Sequence, residues 1–472
     1  MKLNRVMIAA PHSGSGKTAI TCAFLQILKD RGVETASCKC GPDYIDPMFH
    51  KEVLGVPSRN LDTYFSGEEM TRRLLVRDRR EGDTVVIEGV MGLFDGIGGV
   101  SEEGSSYHLA KVTKTPIILV IDAKGMGRSL LPLIAGFLSY DREHLIKGVI
   151  LNRISPAFCE RIKPVIEEEL KVKVIGCMPE LKDVVVGSRH LGLMMPEEIA
   201  DIRDRIRKMA TELEKSVSVE DILNIAESAE PVTGFKEDEI IHTEEERPLI
   251  AVAKDEAFCF HYEDNLKLLT DCGARLTYFS PIHDHELPKG CKGVLLGGGY
   301  PELYAQQLSE NKSMLRSVRE AFGSIPMVAE CGGFMYLHDT ITDKDGNRYP
   351  MAGVIHEDCY YTDRLVRFGY VEVNDNGRCF LKNDTSVRGH EFHYYESGLE
   401  NYDCTAVKPG TDKSYSCIVA GDDHWLGFPH LYYPSNPEFA LSFVRKAREA
   451  MDRELCKNYY LFGINGWIRG QE

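Results

Sequence analysis

The chain has 472 residues, enough for about two to four domains. Hydrophobic residues make up 43% and charged residues 27%, the balance of a soluble globular protein, and no apolar run is long enough to span a bilayer. A formal net charge of -16 argues against a general nucleic-acid or membrane surface, yet leaves room for a local cluster of Lys, Arg and backbone amides to take small anions.

No signal peptide is read at the N-terminus, which goes straight into "RVMIAA" and a glycine loop. The 14 cysteines are scattered, with no small disulfide framework. Reduced thiols in a cytoplasmic protein are the expectation.

The first half alternates strands and helices. "RVMIAA" leads into "TAITCAFLQILKDRG", where Ile20, Phe24, Ile27 and Leu28 share one helical face. "DTVVIEGV", "TPIILVIDA", "KGVILNRI" and "VKVIGCMP" follow as short apolar runs suited to a parallel sheet buried on both faces. An α/β fold follows, with a P-loop parallel-sheet domain over residues 1–225. Residues 226–248, acidic and polar, read as a linker. A second α/β pattern occupies 249–452, and an aromatic tail, 453–472, closes the chain without an assignable role.

Between the first strand and the first helix lies "APHSGSGKTAI". Backbone N–H groups of Gly14, Ser15, Gly16 and Lys17 can ring an anion there, aided by the positive end of the helix. Lys17 reaches outer phosphates and Thr18 offers a hydroxyl to Mg²⁺, so a nucleotide is the expected ligand. The usual pattern starts with Gly, where this chain has Pro11. Mg²⁺ wants further hard oxygens. "CKCGPDYIDP" offers Asp43 and Asp46, and "VVIEGVMGLFDG" offers Glu88 at a strand end, then Asp95. Turn capping is the plain alternative for Asp43 and Asp46. The "CKC" pair has no second pair at metal-site spacing and reads as small buried residues. Asn152, ending "GVILN", could pair with a purine edge or simply make a turn.

In the second half, "PMVAECGG" places Cys331 where an apolar run meets two glycines, an elbow that lifts a side chain clear of a sheet. A thiol nucleophile needs a base and oxyanion donors. "LLGGGYPE" supplies Gly297, Gly298 and Gly299, and Gly332 offers another amide. Candidate bases are His390, His393 and His430. His430 precedes Asn436 and Pro437, which resemble an N-cap and first helical residue.

Together these stretches resemble a family. "SGSGKT", "KCGPDYIDPMFH", "PSRNLD", "EGVMGLFDG", "VIDAKGMGRS", "ILNRI", "SRHLGL", "GGGYPE", "AECGGFMYL", "GHEFHY" and "GFPHLYYPSNP", in this order, look like the cobyrinate a,c-diamide synthases of the cobyrinic and cobyric acid synthase group. The resemblance implies a dethiobiotin-synthetase-like ATP domain joined to a class I glutamine amidotransferase domain. It implies Cys331 as glutaminase nucleophile, His430 as base, and an oxyanion hole from Gly298, Gly299 and Gly332. Thr18, Asp43 and Glu88 fall to metal; Lys39, Asp46, Arg59 and Asp95 to substrate or phosphoryl transfer, with Arg189 beside them. Many class I amidotransferases carry an acid two residues after the histidine; here Tyr432 stands there, so no third triad member is assigned. The implied reaction is ATP- and glutamine-dependent amidation of corrinoid acetate side chains, with no nucleic-acid or membrane partner; a homodimer stays open. Rival readings are the same chemistry on nickel-sirohydrochlorin or hydrogenobyrinic acid, a cobyric acid synthase, or a regulatory P-loop ATPase with a passive partner domain.

Overall fold

A computed structural model describes residues 1–181, 196–236, 247–377, 380–381 and 385–468, with the backbone alone for 196–200 and 454–468. Arg189 lies outside the described residues. The chain divides into two compact units, Met1–Asp238 and Glu239–Glu472.

The first unit is built on a seven-stranded sheet. Its strands are β1 (Asn4–Ala9), β2 (Thr35–Cys40), β3 (Ser58–Leu61), β4 (Thr84–Glu88), β5 (Ile117–Asp122), β6 (Ile146–Asn152) and β7 (Lys173–Met178). They lie in the order β3-β2-β4-β1-β5-β6-β7, and every pairing is parallel. Residues such as Val6, Ile8, Val86, Val120 and Ile150 are fully buried, because helices cover a parallel sheet on both faces. Helix α1 (Lys17–Asp30) lays Ile20, Phe24, Ile27 and Leu28 against them, each such burial stabilising the fold by roughly 1.5–3 kcal/mol. β2 and β3 were not among the expected strands. Their sequences, TASCKC and SRNL, lack the apolar run of their neighbours, and the sheet buries Ser37, Lys39 and Asn60 all the same.

The acidic stretch expected as a linker from residue 226 stays with this unit at first. Helix Val219–Glu227 crosses the proposed boundary, and Val232 exchanges backbone hydrogen bonds with Met1 at 2.9 and 3.0 Å.

The second unit has a six-stranded sheet. Its strands β8 (Leu249–Ala253), β9 (Arg275–Phe279), β10 (Gly293–Leu296) and β11 (Met327–Glu330) are joined by His424–Gly427 and Val419–Ala420. The order is Val419–Ala420, His424–Gly427, β11, β10, β8, β9, with only the first pairing antiparallel. Two further sheets, a four-stranded one and a five-stranded one, are drawn from residues 338–431. The latter pairs Ser386–His393 with His430–Leu431. Pro437 opens the helix Pro437–Ile468 as expected, with Asn436 Oδ1 accepting from Glu438 N–H at 3.2 Å. The backbone of 453–468 continues this helix.

Candidate active sites in the two units

The first site gathers at the carboxyl ends of β1, β2 and β4, where ligands of open α/β sheets bind. Gly14 and Gly16 adopt φ of +80° and +96°, which L side chains rarely adopt, and a methyl on Gly16 would lie 2.2 Å from Asn152 Nδ2. The first turn of α1 holds no acidic residue and its N-terminus no side-chain cap, which leaves its amides suited to an anion. Lys17 Nζ donates to Met91 O at 2.6 Å and His12 O at 3.3 Å. Burial and the neighbouring Lys39 lower Lys17 to about 8, a state an incoming phosphate would reverse.

Register sets Lys39 on β2 directly beside Glu88 on β4. Both are buried; Lys39 Nζ lies 2.9 Å from Glu88 Oε1 and 2.5 Å from Asp46 Oδ2. Thr18 Oγ1 donates to the same Glu88 oxygen at 2.5 Å. Burial alone would raise Glu88, but Lys39, His50 and Thr18 outweigh it and hold the carboxylate below its usual range. Burial and the charge of Glu88 push Asp46 up. Burial opposes the charge on Lys39, yet Glu88, Asp46 and Asp43 win and raise it.

Asp43 Oδ1 accepts from Ile45 N–H at 2.8 Å, which realises the turn-capping alternative for that oxygen. Asp95 Oδ2 accepts from Gly92 N–H at 3.0 Å, shaping the loop beside Lys17. Asn152 Nδ2 donates to Ser15 O at 2.8 Å and so braces the phosphate loop. Arg59 is not brought to the cluster. It pairs in register with Cys38, one residue out of step with Lys39, and its guanidinium reaches Leu74 O at 2.8 Å and Asp78 at 3.0 Å. The CKC cysteines, Cys38 and Cys40, are both buried.

Two residues here carried no signal of their own. His50 is fully buried with Nε2 3.3 Å from Glu88 Oε2. Asn60, in register with Lys39, donates to Gly41 O and Asp43 O at 2.8 and 2.7 Å and holds the loop after β2. The donor set fits Mg²⁺: Thr18 and Glu88 put two hard oxygens side by side, and among the described residues no group of three His, Cys, Asp or Glu forms a full metal cage. Mg²⁺ takes one or two carboxylates and fills its shell with phosphate and water.

The second site is built at the end of β11. Cys331 has φ +47°, a left-handed conformation costly for a non-glycine residue, between β11 and the short helix Gly332–Tyr336. Its N–H donates to Gly427 O at 2.8 Å. Gly297–Gly299 runs beside it. Gly333 N–H donates to Gly297 O at 3.0 Å, and a methyl on Gly332 would sit 3.1 Å from Gly299 N. A methyl on Gly298 would lie 2.3 Å from His430 Cε1. The glycine run is thus flanked by the cysteine turn and the histidine.

Burial, then half-buried Glu302, raise the Cys331 thiol. Burial, then His390, His393 and His261, lower His430. His390 stacks on His430 at 5.0 Å between centroids, and its Nδ1 meets Tyr262 Oη at 3.1 Å; burial lowers it to about 3. His393 stacks on Phe428 at 4.1 Å and bonds Tyr395 O at 2.7 Å. Tyr432 Oη donates to Asp264 Oδ2 at 3.3 Å.

A phosphate-type loop with a buried ammonium–carboxylate pair in one unit, and a cysteine elbow with a buried histidine in the other, define a nucleotide-dependent protein with a glutamine amidotransferase domain. The comparisons agree. Residues 6–192 match the CobQ/CobB/MinD/ParA nucleotide binding domain, and residues 249–424 the CobB/CobQ-like glutamine amidotransferase domain. The chain is 39% identical to cobyrinate a,c-diamide synthase of Caldanaerobacter subterraneus subsp. tengcongensis, over 90% of this chain and 94% of that one. It is 35% identical to the Picrophilus torridus synthase, over 94% and 99%, and 39% identical to that of Listeria innocua, over 92% and 97%. The chain belongs to the cobyrinate a,c-diamide synthase family and is a glutamine-dependent ligase.

Proposed function

We propose that this chain amidates the a and c acetate carboxylates of cobyrinic acid, using ATP and glutamine. The observation that carries the reading is that one chain holds both the buried Lys17–Lys39–Glu88 cluster and, around one glycine run, the Cys331 elbow and His430. Full-length similarity to proteins named for that reaction supports the substrate.

In the second unit, Cys331 Sγ gives its proton to His430 and attacks the side-chain amide carbon of glutamine. The oxyanion is met by amides of Gly298, Gly299 and Gly332. His430 returns the proton to the leaving nitrogen; ammonia departs, and water cleaves the thioester to glutamate. In the first unit, a substrate carboxylate takes the γ-phosphoryl group of ATP and becomes an acyl phosphate. Ammonia attacks its carbonyl and phosphate leaves. Lys17 and the amides of Gly14, Ser15 and Gly16 hold the phosphates, while Lys39, Asp46 and Asp95 orient the transfer. Mg²⁺ would be held by Thr18 and Glu88 with Asp43, and supplies charge neutralisation of the phosphates. Asn152 keeps the loop in shape. Arg59, turned toward Asp78, takes no part in this reading.

The test is an assay of purified protein with ATP, Mg²⁺, glutamine and a panel of tetrapyrrole acids, read by mass spectrometry. Cobyrinic acid is expected to gain two amides. Preference for nickel-sirohydrochlorin or hydrogenobyrinic acid would move the reading to those rings.

A further inference from the structure

The proposed nucleophile and base stand on different sheets of the second unit. Cys331 directly follows a strand of the six-stranded sheet, whereas His430 belongs to the five-stranded sheet, in register with His390. Their spacing depends on what ties the two sheets together. A misplacement of about 1 Å in such a pair can cost around a hundredfold in rate.

A carboxyl that takes no part in the chemistry above makes one such tie. Glu330, the residue before Cys331, is 5% exposed. Its side chain lies beside the strand segment that carries His430. Tyr433 Oη donates to its Oε1 at 3.1 Å. Asn265 grips the same segment from the opposite direction. Its Nδ2 donates to Leu431 O and its Oδ1 accepts from Tyr433 N–H, both at 2.8 Å. The residues just past the histidine are therefore bonded to the residue just before the thiol and to a buried amide.

We infer that Glu330 is a positioning residue for glutamine hydrolysis, anchoring the segment that carries His430 to the strand that carries Cys331. This rests on the assignment of Cys331 and His430 proposed above. Burial outweighs the bond from Tyr433 and raises Glu330 to about 8, so near neutral pH it acts mainly as an uncharged acid. Gln keeps the acceptor oxygen and the shape; Ala removes the tie to Tyr433.

The experiment measures glutaminase kcat and KM, and ammonia-dependent synthesis, in full-length protein carrying Glu330→Ala, Glu330→Gln, Tyr433→Phe or Cys331→Ser. Glu330→Ala is expected to lower glutaminase kcat about 10- to 100-fold, with KM for glutamine within about threefold and ammonia-dependent synthesis within about twofold. Glu330→Gln should restore kcat to within about threefold of wild type. If Glu330→Ala does not fold, Tyr433→Phe removes a single tie without a large hole, and a several-fold lower kcat at unchanged KM is expected. Wild-type kcat in Glu330→Ala or Tyr433→Phe, beside an inactive Cys331→Ser, would overturn the positioning role alone. So would a Glu330→Gln variant as impaired as Glu330→Ala. Glutamine hydrolysis by Cys331→Ser would instead overturn the nucleophile assignment, and the positioning role with it.

Discussion

Lys39 and Glu88 sit side by side on neighbouring strands of the first unit, buried and yet held in their charged forms. Cys331 and His430 in the second unit are similarly buried and are both pushed toward neutrality. The difference lies in the partners. Lys39 meets two carboxylates, whereas Cys331 meets carboxylates of its own charge sign and His430 meets other imidazoles. A site for ATP needs fixed charges that an arriving anion and cation can exchange with. A site that makes a thiolate can keep its proton until glutamine and the oxyanion donors are in place, so the charge appears only when it is used.

Four interventions would break or sharpen this contrast. Cys331→Ser removes the neutral pair. Glutamine-dependent synthesis should fall about a thousandfold or more, while synthesis from added ammonia stays within about twofold. Full glutamine-dependent turnover would place the nucleophile elsewhere. Lys17→Ala strikes the charged site and should lower synthesis from either nitrogen source about 100- to 1,000-fold, the cost of one preorganised donor, with glutamine hydrolysis persisting. Near wild-type ammonia-dependent rates would remove Lys17 from phosphate binding.

Asp46→Asn keeps the shape beside Lys39 but removes the carboxyl that can ionise or hold a proton there. Synthesis should drop about tenfold or more in a folded protein that still hydrolyses glutamine. A wild-type rate at saturating Mg²⁺ would leave Asp46 only a capping role.

The fourth intervention concerns stability rather than rate. Glu330 in the fold keeps its proton to about pH 8, while the unfolded chain releases it near the ordinary value of 4.5. Between those limits the folded state binds more protons, so this group's contribution falls as pH rises, by at most roughly 1.4 kcal/mol per pH unit, and levels off above the upper limit. Glu330→Gln lacks that loss. Denaturant titrations at pH 5 and pH 8 should show the variant gaining on wild type with rising pH. A constant difference would mean that Glu330 is ionised throughout.

Strands with continuous apolar runs, β1 and β4 to β7, could be read directly from sequence, since burial on both faces leaves that pattern. β2 and β3 could not, because their buried positions are filled by Ser, Cys, Lys and Asn, of which Lys39 and Asn60 belong to the cluster around Glu88. The sheets of residues 338–431 also escaped notice. Their strands mix buried, half-buried and exposed residues without a long apolar run. Lys17, Thr18, Lys39, Asp46 and Glu88 stood in motifs that the fold brings together. Arg59 stood in a motif too, but one step of strand register turns it toward Asp78. His50, Asn60, Glu330 and Asn265 act through partners far away in sequence, and spacing along a chain carries no trace of such contacts.

Transfer of labelled nitrogen tests the division of labour between the two units most directly. Wild-type protein would receive ATP, Mg²⁺, cobyrinic acid and glutamine labelled with ¹⁵N at the side-chain amide, and the corrinoid would be weighed and ATP consumption counted. The expected product carries two ¹⁵N amides, with one ATP consumed for each. Glutamine hydrolysed and ATP consumed with no label on the corrinoid would contradict the coupling of Cys331 to carboxylate amidation.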